Sequence, residues 1–585
     1  MGSAKRRQAR RRAGTKPGAK SADADIPMGS TNPFPICSVP SSIPARYRNV
    51  VENLSSHVAL HRAISCSALS NIVCGDSQAA TELIRAGLVP VVLPLIVDAD
   101  SNVATHAAGL LRNLAVMDGA AFAAVARYAF DDIVMLLLGR ANSPPTPWNA
   151  QVLALIACLT EQDVESASIG NGAIWKLSSF LSGPTDAIIA VLEMYRNVVD
   201  DRPDLAQVLL SETLLTLRSL FGHESILVVA HTAALFATVA RLTSAPALLS
   251  EIAPHLAACA SINLSAAKRQ LVQDAQRMQA EINAELERQR TAHNNDTIFQ
   301  ESIDGRLAPE AVDQAWQDLL QTFRAQAVAV QIAAETVANL ICVDEDQPTW
   351  SLKEVVDLSG ILQLVPVLAD RIRTVVDDER FDSGDWGRVL DLIYGAIERC
   401  VEAMINLALS EIVSGHDVSD LAIDVIERES HRTKARLSLL EVSGRLLSLS
   451  LASAPRHLRH DQLDMMTSLA TRSSSEAVRQ EFVAVLVRFG SGDAARADLV
   501  AEAVLSRVQD DSVRVFLEAV NGLMDMFADD GVHQKTIARL NLLPVLSAIV
   551  ADDRRWKVAD EDLFEEAAEA RDNLQAFIQY RSLCP

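Results

Sequence analysis

One short pattern recurs at multiples of a fixed distance, in SNIVC (residues 70–74), RNLAV (112–116) and RNVVD (196–200). Its asparagines, Asn71, Asn113 and Asn197, stand at spacings of 42 and 84 residues. The missing members of the series fall in LALIACL around Leu155 and FATVARL around Val239, where the polar residue is lost but the apolar spacing remains. A period of about 40 to 47 residues built from helices and short turns is typical of armadillo and HEAT arrays. The sequence therefore predicts an all-α fold, an α-solenoid.

The chain divides by composition into four predicted segments. Prolines cluster between residues 27 and 44, and a polar, charged stretch with little apolar periodicity follows Leu264. We expect a disordered basic tail and Pro-rich linker (1–45), armadillo-type repeats (46–263), a charged insertion (264–312) and HEAT-type repeats (313–585).

Charge is divided unevenly along the chain. Residues 1–20 hold eight of the 53 basic residues and no acid, so the remaining chain has 45 basic against 75 acidic residues. An acidic body of this kind repels nucleic acid and attracts basic polypeptides. We therefore expect basic protein partners and no direct contact with nucleic acid.

The basic tail predicts a nuclear localisation signal, formed by Lys5, Arg6, Arg7, Arg10, Arg11 and Arg12. Two other readings are open. A mitochondrial presequence is disfavoured because the arginines are contiguous and leave no apolar face, whereas an RNA-binding arm would need only the charge. The favoured reading places the protein in both the cytoplasm and the nucleus.

The sequence gives no support for an enzyme, a metal site, a cofactor or a membrane span. His57 and His61 share a helix face but lack the glutamate and the third ligand of a zinc site. The cysteines form no C-x-x-C pair. The longest apolar run, from Leu88 to Val97, is much shorter than the roughly 18 residues of a membrane span. We expect a soluble intracellular protein.

The asparagines predict a binding surface, because in armadillo units an asparagine near the end of the third helix can hydrogen-bond the backbone of an extended peptide. Asn339 and Asn406 fit the same placement, and one turn earlier stand Glu193, Glu335 and Glu402. These carboxylates would pair with Arg or Lys of a partner. The alternative is that the asparagines cap helices and the glutamates are ordinary solvated residues.

Several longer segments, in shared order, resemble the symportin family of synchronised import adaptors, whose animal member is called HEAT repeat-containing protein three. They are AAGLLRNLAV (107–116), VVDDRPDLAQVLL (198–210), AVQIAAETVANLICVDED (329–346), NGLMDMFADDG (521–531) and DNLQAFIQYRSL (572–583).

This resemblance implies a nuclear import adaptor and dedicated chaperone. Such a protein would bind the two 5S-rRNA-associated ribosomal proteins of the large subunit, of the L-five and L-eleven types, carry them into the nucleus together, and support assembly of the 5S ribonucleoprotein. It also implies that a basic tail of one cargo follows the armadillo groove past Asn71, Asn113, Asn197 and Glu193, while the second cargo contacts the HEAT half.

The import receptor is open between a transportin type and an importin type, because the Pro-Tyr pair of a transportin-type signal is absent. Rival functions are a generic armadillo or HEAT scaffold or co-chaperone, and a transport receptor of the karyopherin type.

Overall fold

The computed structural model forms two units, residues 1–256 and 257–585, which we describe separately. It describes residues 38–119, 122–123, 129–139, 146–161, 172–200, 202–243, 245–262, 264–295, 309–341, 394–403, 405, 419–430, 436–453, 457–491, 493–528, 533–557 and 561–583. Within these ranges the secondary structure is helical and contains no β-strand. The predicted all-α repeat fold is confirmed.

The first unit is built of α-helices joined by short turns and 3₁₀ segments. Its helices are α1 (Ala45–Glu52), α2 (Ala59–Gly75), α3 (Ser77–Arg85), α4 (Leu88–Val92), α5 (Ser101–Met117), α6 (Phe130–Gly139), α7 (Pro147–Thr160), α8 (Thr185–Val199), α9 (Pro203–Ser219), α10 (Ile226–Thr243) and α11 (Pro246–Ala260).

Five of these helices form a ladder, in which each packs against the next: α2, α5, α7, α8 and α10. They contain, in order, the positions of the 42-residue series. Side-chain caps fix where two of the ladder helices begin: Asp100 accepts from the backbone of residues 102 and 103 at the start of α5, and Thr146 forms a capping box with Asn149 at the start of α7. Because the five helices pack in sequence, each buries its apolar face against its ladder neighbours.

The second unit continues with helices of varied length. They are α12 (Leu264–Asn295), α13 (Pro309–Ile341), α14 (394–403), α15 (Ser419–Ser430), α16 (Leu437–Ser453), α17 (His460–Arg472), α18 (Glu476–Gly490), α19 (Ala494–Arg507), α20 (Val513–Met526), α21 (Gln534–Arg539), α22 (Leu542–Ala551) and α23 (Glu561–Leu583).

A second ladder runs through this unit, formed by α16, α18, α20 and α23. Helices α15, α17 and α19 pack beside it as an outer row. The ladder helices approach closely: a Cβ built on Gly522 of α20 would lie 2.2 Å from Cγ2 of Val487 on α18. Any larger side chain at Gly522 would push these two helices apart.

The same buried arginine–aspartate fork joins successive ladder helices in both units. Arg62 of α2 donates from Nε and Nη2 to the two carboxylate oxygens of Asp98, just before α5, at 2.8 Å each. Arg479 of α18 makes the same pair of bonds to Asp510, just before α20, at 3.0 Å each. Both arginines also donate from Nη1 to a carbonyl six residues earlier. The aspartate side chains are only 8% and 5% exposed, so the forks belong to the interior.

One helix differs from the sequence expectation about apolar runs. Helix α10 has 18 residues with a mean hydropathy of 1.7, and by length and composition it could cross a membrane. His231 and Arg241 interrupt its apolar residues, so it does not stand out as a continuous apolar run in the sequence. Two thirds of the helix, 67%, is buried, and it packs against α8 and α9 as a core helix does. The bent pair Ser77–Arg85 and Leu88–Val97 passes the same test only if its two parts, 79° apart, are joined.

The fork in the second unit predicts a large stability effect. Asp510→Ala leaves the largely buried Arg479 without its carboxylate, which costs roughly 3 kcal/mol of unfolding free energy. Urea denaturation followed by circular dichroism measures this as a lower midpoint. The control is Asp464→Ala, because Asp464 is 70% exposed and, among the described residues, pairs only with His460; it should shift the free energy by no more than about 0.5 kcal/mol. Equal midpoints for the two variants would contradict the role given to the fork.

Candidate protein-binding surfaces

The ladder asparagines of the first unit bridge neighbouring helices. Nδ2 of Asn113 on α5 donates to Oγ of Ser70 on α2 at 2.6 Å, and its Oδ1 accepts from Arg112. Nδ2 of Asn197 on α8 donates to the carbonyl of Ala157 in the last turn of α7 at 3.0 Å. Both half-buried side chains therefore join their helix to the preceding ladder helix, a structural role other than capping their own helix.

Asn71 differs from the other two because it lies on α2, which has no ladder helix before it. Its side chain is exposed, and it makes no side-chain hydrogen bond within the described residues. Of the three asparagines in the series, Asn71 is therefore the one whose amide is free to bind an external backbone. Its peptide-binding role, like those of Asn113 and Asn197, stays a prediction.

Glu193 lies on the solvent-facing side of α8, and its carboxylate faces the next ladder helix. Its Oε1 is 3.7 Å from Nε2 of His231 on α10. The Glu193 side chain is 42% exposed, yet desolvation by the surrounding protein raises its pKa, with Glu161 adding to the shift and Arg196 opposing it. The carboxylate is therefore only partly hydrated.

The predicted residues of the second unit are brought together around one arginine. Arg399 of α14 forms an ion pair with Glu402 at 2.5 Å, and Glu335 of α13 adds a favourable charge interaction. Glu402 is thus already neutralised within the chain. Asn339 is exposed on α13, and Asn406 lies outside the described residues. This arrangement is less acidic than the sequence predicts, although its binding role stays a prediction.

The predicted nuclear localisation signal also lies outside the described residues. Lys5, Arg6, Arg7, Arg10, Arg11 and Arg12 all precede residue 38, where the description begins. The structure therefore neither supports nor opposes that prediction.

The structure shows a set of acidic residues that the sequence analysis missed. A glutamate on each helix of the second ladder interacts electrostatically with the next one along: Glu441 on α16, Glu481 on α18, Glu518 on α20 and Glu566 on α23. We call these four residues the glutamate row. The first three are half-buried and Glu566 is exposed. None of the four forms an ion pair within 4 Å in the described part of the chain.

Desolvation dominates the chemistry of the glutamate row. It raises the pKa of Glu481 to about 7, with Glu518 and Glu441 adding to the shift and Arg445 opposing it. Desolvation also raises the pKa of Glu518, with Glu566 and Asp525 in the same direction and Arg488 opposed. Carboxylates in this state gain more from an incoming cation than fully solvated ones, because their own hydration is already incomplete. The row is therefore suited to binding Lys or Arg side chains.

A sequence signal for this row exists. Glutamate stands within LLEV, QEFV and LEAV at spacings of 40 and 37 residues, which continues the repeat period in the second half of the chain. This glutamate spacing lies outside the asparagine series from which the binding surface is predicted.

The glutamate row predicts a pH-dependent stability effect at Glu481. A carboxyl whose folded-state pKa is raised destabilises the fold increasingly as pH rises from about 4.5 to 7, and by a constant amount above that. Glu481→Gln should therefore raise the melting temperature at pH 8, and this gain should shrink as the pH falls toward 4.5. Scanning fluorimetry across this range measures it. Glu502→Gln, on the exposed side of α19, is the matched control and should change little; a lower melting temperature for Glu481→Gln at pH 8 would contradict the assignment.

Comparison with known families gives one domain-level match. Residues 391–583 match the family model described as SYO1-like, TPR repeats. The match includes the entire glutamate row. No curated protein matches the chain.

Solved structures with similar helical arrangements are distant relatives in sequence. An engineered protein is 16% identical, covering 90% of this chain and 98% of its own, with a TM-score of 0.33. A Kap121p mutant is 13% identical, covering 92% and 57%, with a TM-score of 0.43. A structure of the interaction between cadherin and beta-catenin is 14% identical, covering 92% and 91%, with a TM-score of 0.34. These scores are too low to add to the fold argued from helix packing. The resemblance to the symportin family is confirmed at the level of one domain, residues 391–583.

Proposed function

We propose that this protein is a nuclear import adaptor and dedicated chaperone for the two 5S-rRNA-associated ribosomal proteins of the large subunit, of the L-five and L-eleven types. The observation that carries the proposal is the glutamate row, which lies within the SYO1-like part of the chain. A surface of desolvated carboxylates is complementary to proteins rich in Lys and Arg. The resemblance to the symportin family names the cargo.

The charge of the chain supports a basic cargo at two levels. The acidic body produces a long-range field that increases the rate of encounter with cations. This field is screened beyond about 8 Å at physiological ionic strength, so affinity depends on local contacts. The glutamate row supplies such contacts, since exposed ion pairs contribute only about 0.2–1 kcal/mol each and desolvated charge-assisted hydrogen bonds contribute more.

A chaperone role follows from the same chemistry. Proteins that bind rRNA carry dense positive charge, and in free form they bind other polyanions without specificity. An acidic helical surface that covers this charge competes with such binding. Neutralising the cargo also allows it to travel with its carrier as one complex, and the basic tail of residues 1–20 would supply the import signal for both.

The glutamate row predicts how neutral substitutions affect cargo binding. Glu481→Gln combined with Glu518→Gln should weaken the binding of at least one of the two ribosomal proteins by about tenfold or more, because two charge-assisted contacts become neutral. Isothermal titration calorimetry at physiological salt measures the Kd. The matched control, Glu212→Gln with Glu502→Gln, makes the same change in net charge on exposed residues outside both ladders and should change the Kd by less than about twofold. Equal losses for both pairs would show that only net charge matters.

The tail predicts where the protein accumulates. Deleting residues 1–20 removes eight basic residues and should leave a fluorescent fusion in the cytoplasm, because the import receptor loses its signal. Deleting residues 21–36, a stretch without Lys or Arg, is the matched control and should preserve nuclear accumulation. Fluorescence microscopy gives the nuclear to cytoplasmic ratio. An unchanged ratio after the first deletion would favour a generic scaffold over an import adaptor.

A further inference from the structure

Glu193 and His231 face each other across two neighbouring ladder helices of the first unit, α8 and α10. Oε1 of Glu193 and Nε2 of His231 are 3.7 Å apart, too far for a hydrogen bond. The imidazole is 7% exposed, whereas the carboxylate is 42% exposed. The carboxylate therefore lies at the surface, with the histidine ring behind it.

His231 is a buried polar side chain without a hydrogen bond to any described residue. Burial lowers its pKa to about 3, and Arg196 adds to this shift. The ring is thus neutral at physiological pH, with one nitrogen protonated and the other an acceptor. Because neither ring nitrogen is hydrogen-bonded within the described residues, the nitrogen that carries no proton is open to a donor that also reaches the neighbouring carboxylate.

Glu193 also lacks a cationic partner. Among the described residues, no Lys or Arg nitrogen lies within 4 Å of its carboxylate, and His231 is neutral. The other charges acting on it, Arg196 and Glu161, have opposite signs and offset each other in part. The carboxylate is therefore available to a cation from outside the chain.

The chemistry of the two groups selects the ligand. The ligand must be positively charged to pair with Glu193, and it must carry at least two N–H donors to reach both the carboxylate and the ring nitrogen. A lysine ammonium has the charge and three donors, but they radiate from one nitrogen. A guanidinium spreads five donors over three nitrogens in one plane, so it can bond the carboxylate and the ring nitrogen at the same time. Anions are repelled, and an uncharged amide would lose the charge-assisted bond.

We propose that Glu193 and His231 form a subsite for a single arginine side chain of a bound polypeptide. The carboxylate accepts one or two N–H groups of the guanidinium, and the neutral imidazole accepts a further one. This inference deepens the proposed function, because it rests on a basic cargo segment following the first ladder. It also identifies a residue, His231, that no repeat pattern had marked.

The test uses the full chain with ¹³C-labelled histidine rings, observed by NMR, and N-acetyl-arginine amide as the probe. The His231 signal is assigned from its absence in His231→Phe, or in His231→Gln should the first variant not fold. We expect the probe to shift the His231 signal with a roughly millimolar Kd. The uncharged isostere, N-acetyl-citrulline amide, should need at least about tenfold higher concentration to produce the same shift. The arginine probe should need the same increase when it is added to the Glu193→Gln variant.

Glu212→Gln, on an exposed position of α9, is the control and should titrate like the unaltered protein. Three results would each overturn the subsite. The arginine probe could leave the His231 signal unshifted, the citrulline probe could shift it equally, or Glu193→Gln could bind the arginine probe as tightly as the unaltered protein. These outcomes leave the proposed function standing if the ribosomal proteins still bind. Conversely, a shifted His231 signal without any cargo binding would remove the proposed function and leave the arginine subsite.

Discussion

The register between successive ladder helices is the constraint on which the rest of the structure depends, and a buried arginine–aspartate fork fixes it at one helix pair in each unit. Arg62 with Asp98 and Arg479 with Asp510 tie a ladder helix to the turn before the next one. Burial acts to raise the pKa of Asp510, but the bonds from Arg479 and the Ser512 amide outweigh it and hold the pKa below its ordinary value. A bidentate fork has one geometry, so it adds a directional constraint to the apolar packing of these two helix pairs.

A fixed register decides which side chains of neighbouring ladder helices meet. In the first unit it places Asn113 against Ser70 and Asn197 against Ala157, so the polar residue of the repeat serves to join helices. In the second unit it aligns the glutamate row, and no internal ion pair neutralises it within the described residues. Gathering these carboxylates costs free energy in the unbound protein, and a cationic partner offsets that cost on binding. In the first unit the fold thus satisfies Asn113 and Asn197 internally, whereas in the second it leaves the glutamate row without an ion pair among the described residues.

The sequence predicted the repeat well because a 42-residue spacing is a property of the chain itself. It predicted the partners of the repeated residues poorly, since a hydrogen bond between Asn197 and Ala157, 40 residues apart, depends on the offset between helices. Likewise, the sequence predicted that Glu402 is available to a cationic partner, because nothing in the sequence distinguishes Arg399, with which it pairs, from the other arginines on helices. His231 was hidden for a related reason: it lies in the apolar helix α10 and becomes informative only beside Glu193.

The spacing of the glutamate row restricts the kind of chain that can bind along it. Neighbouring packed helices lie about 8–10 Å apart, and a chain extended in the polyproline II conformation advances about 3.1 Å per residue and returns to the same face every third residue. Consecutive glutamates are therefore matched by basic side chains roughly three residues apart in an extended segment. A helical partner advances only about 1.5 Å per residue and would need basic residues about six apart, which fall on changing faces of the helix. Glu441, Glu481 and Glu518 thus favour an extended, Lys- and Arg-rich segment over a helix, because only the extended form presents its cations at the interval set by helix packing.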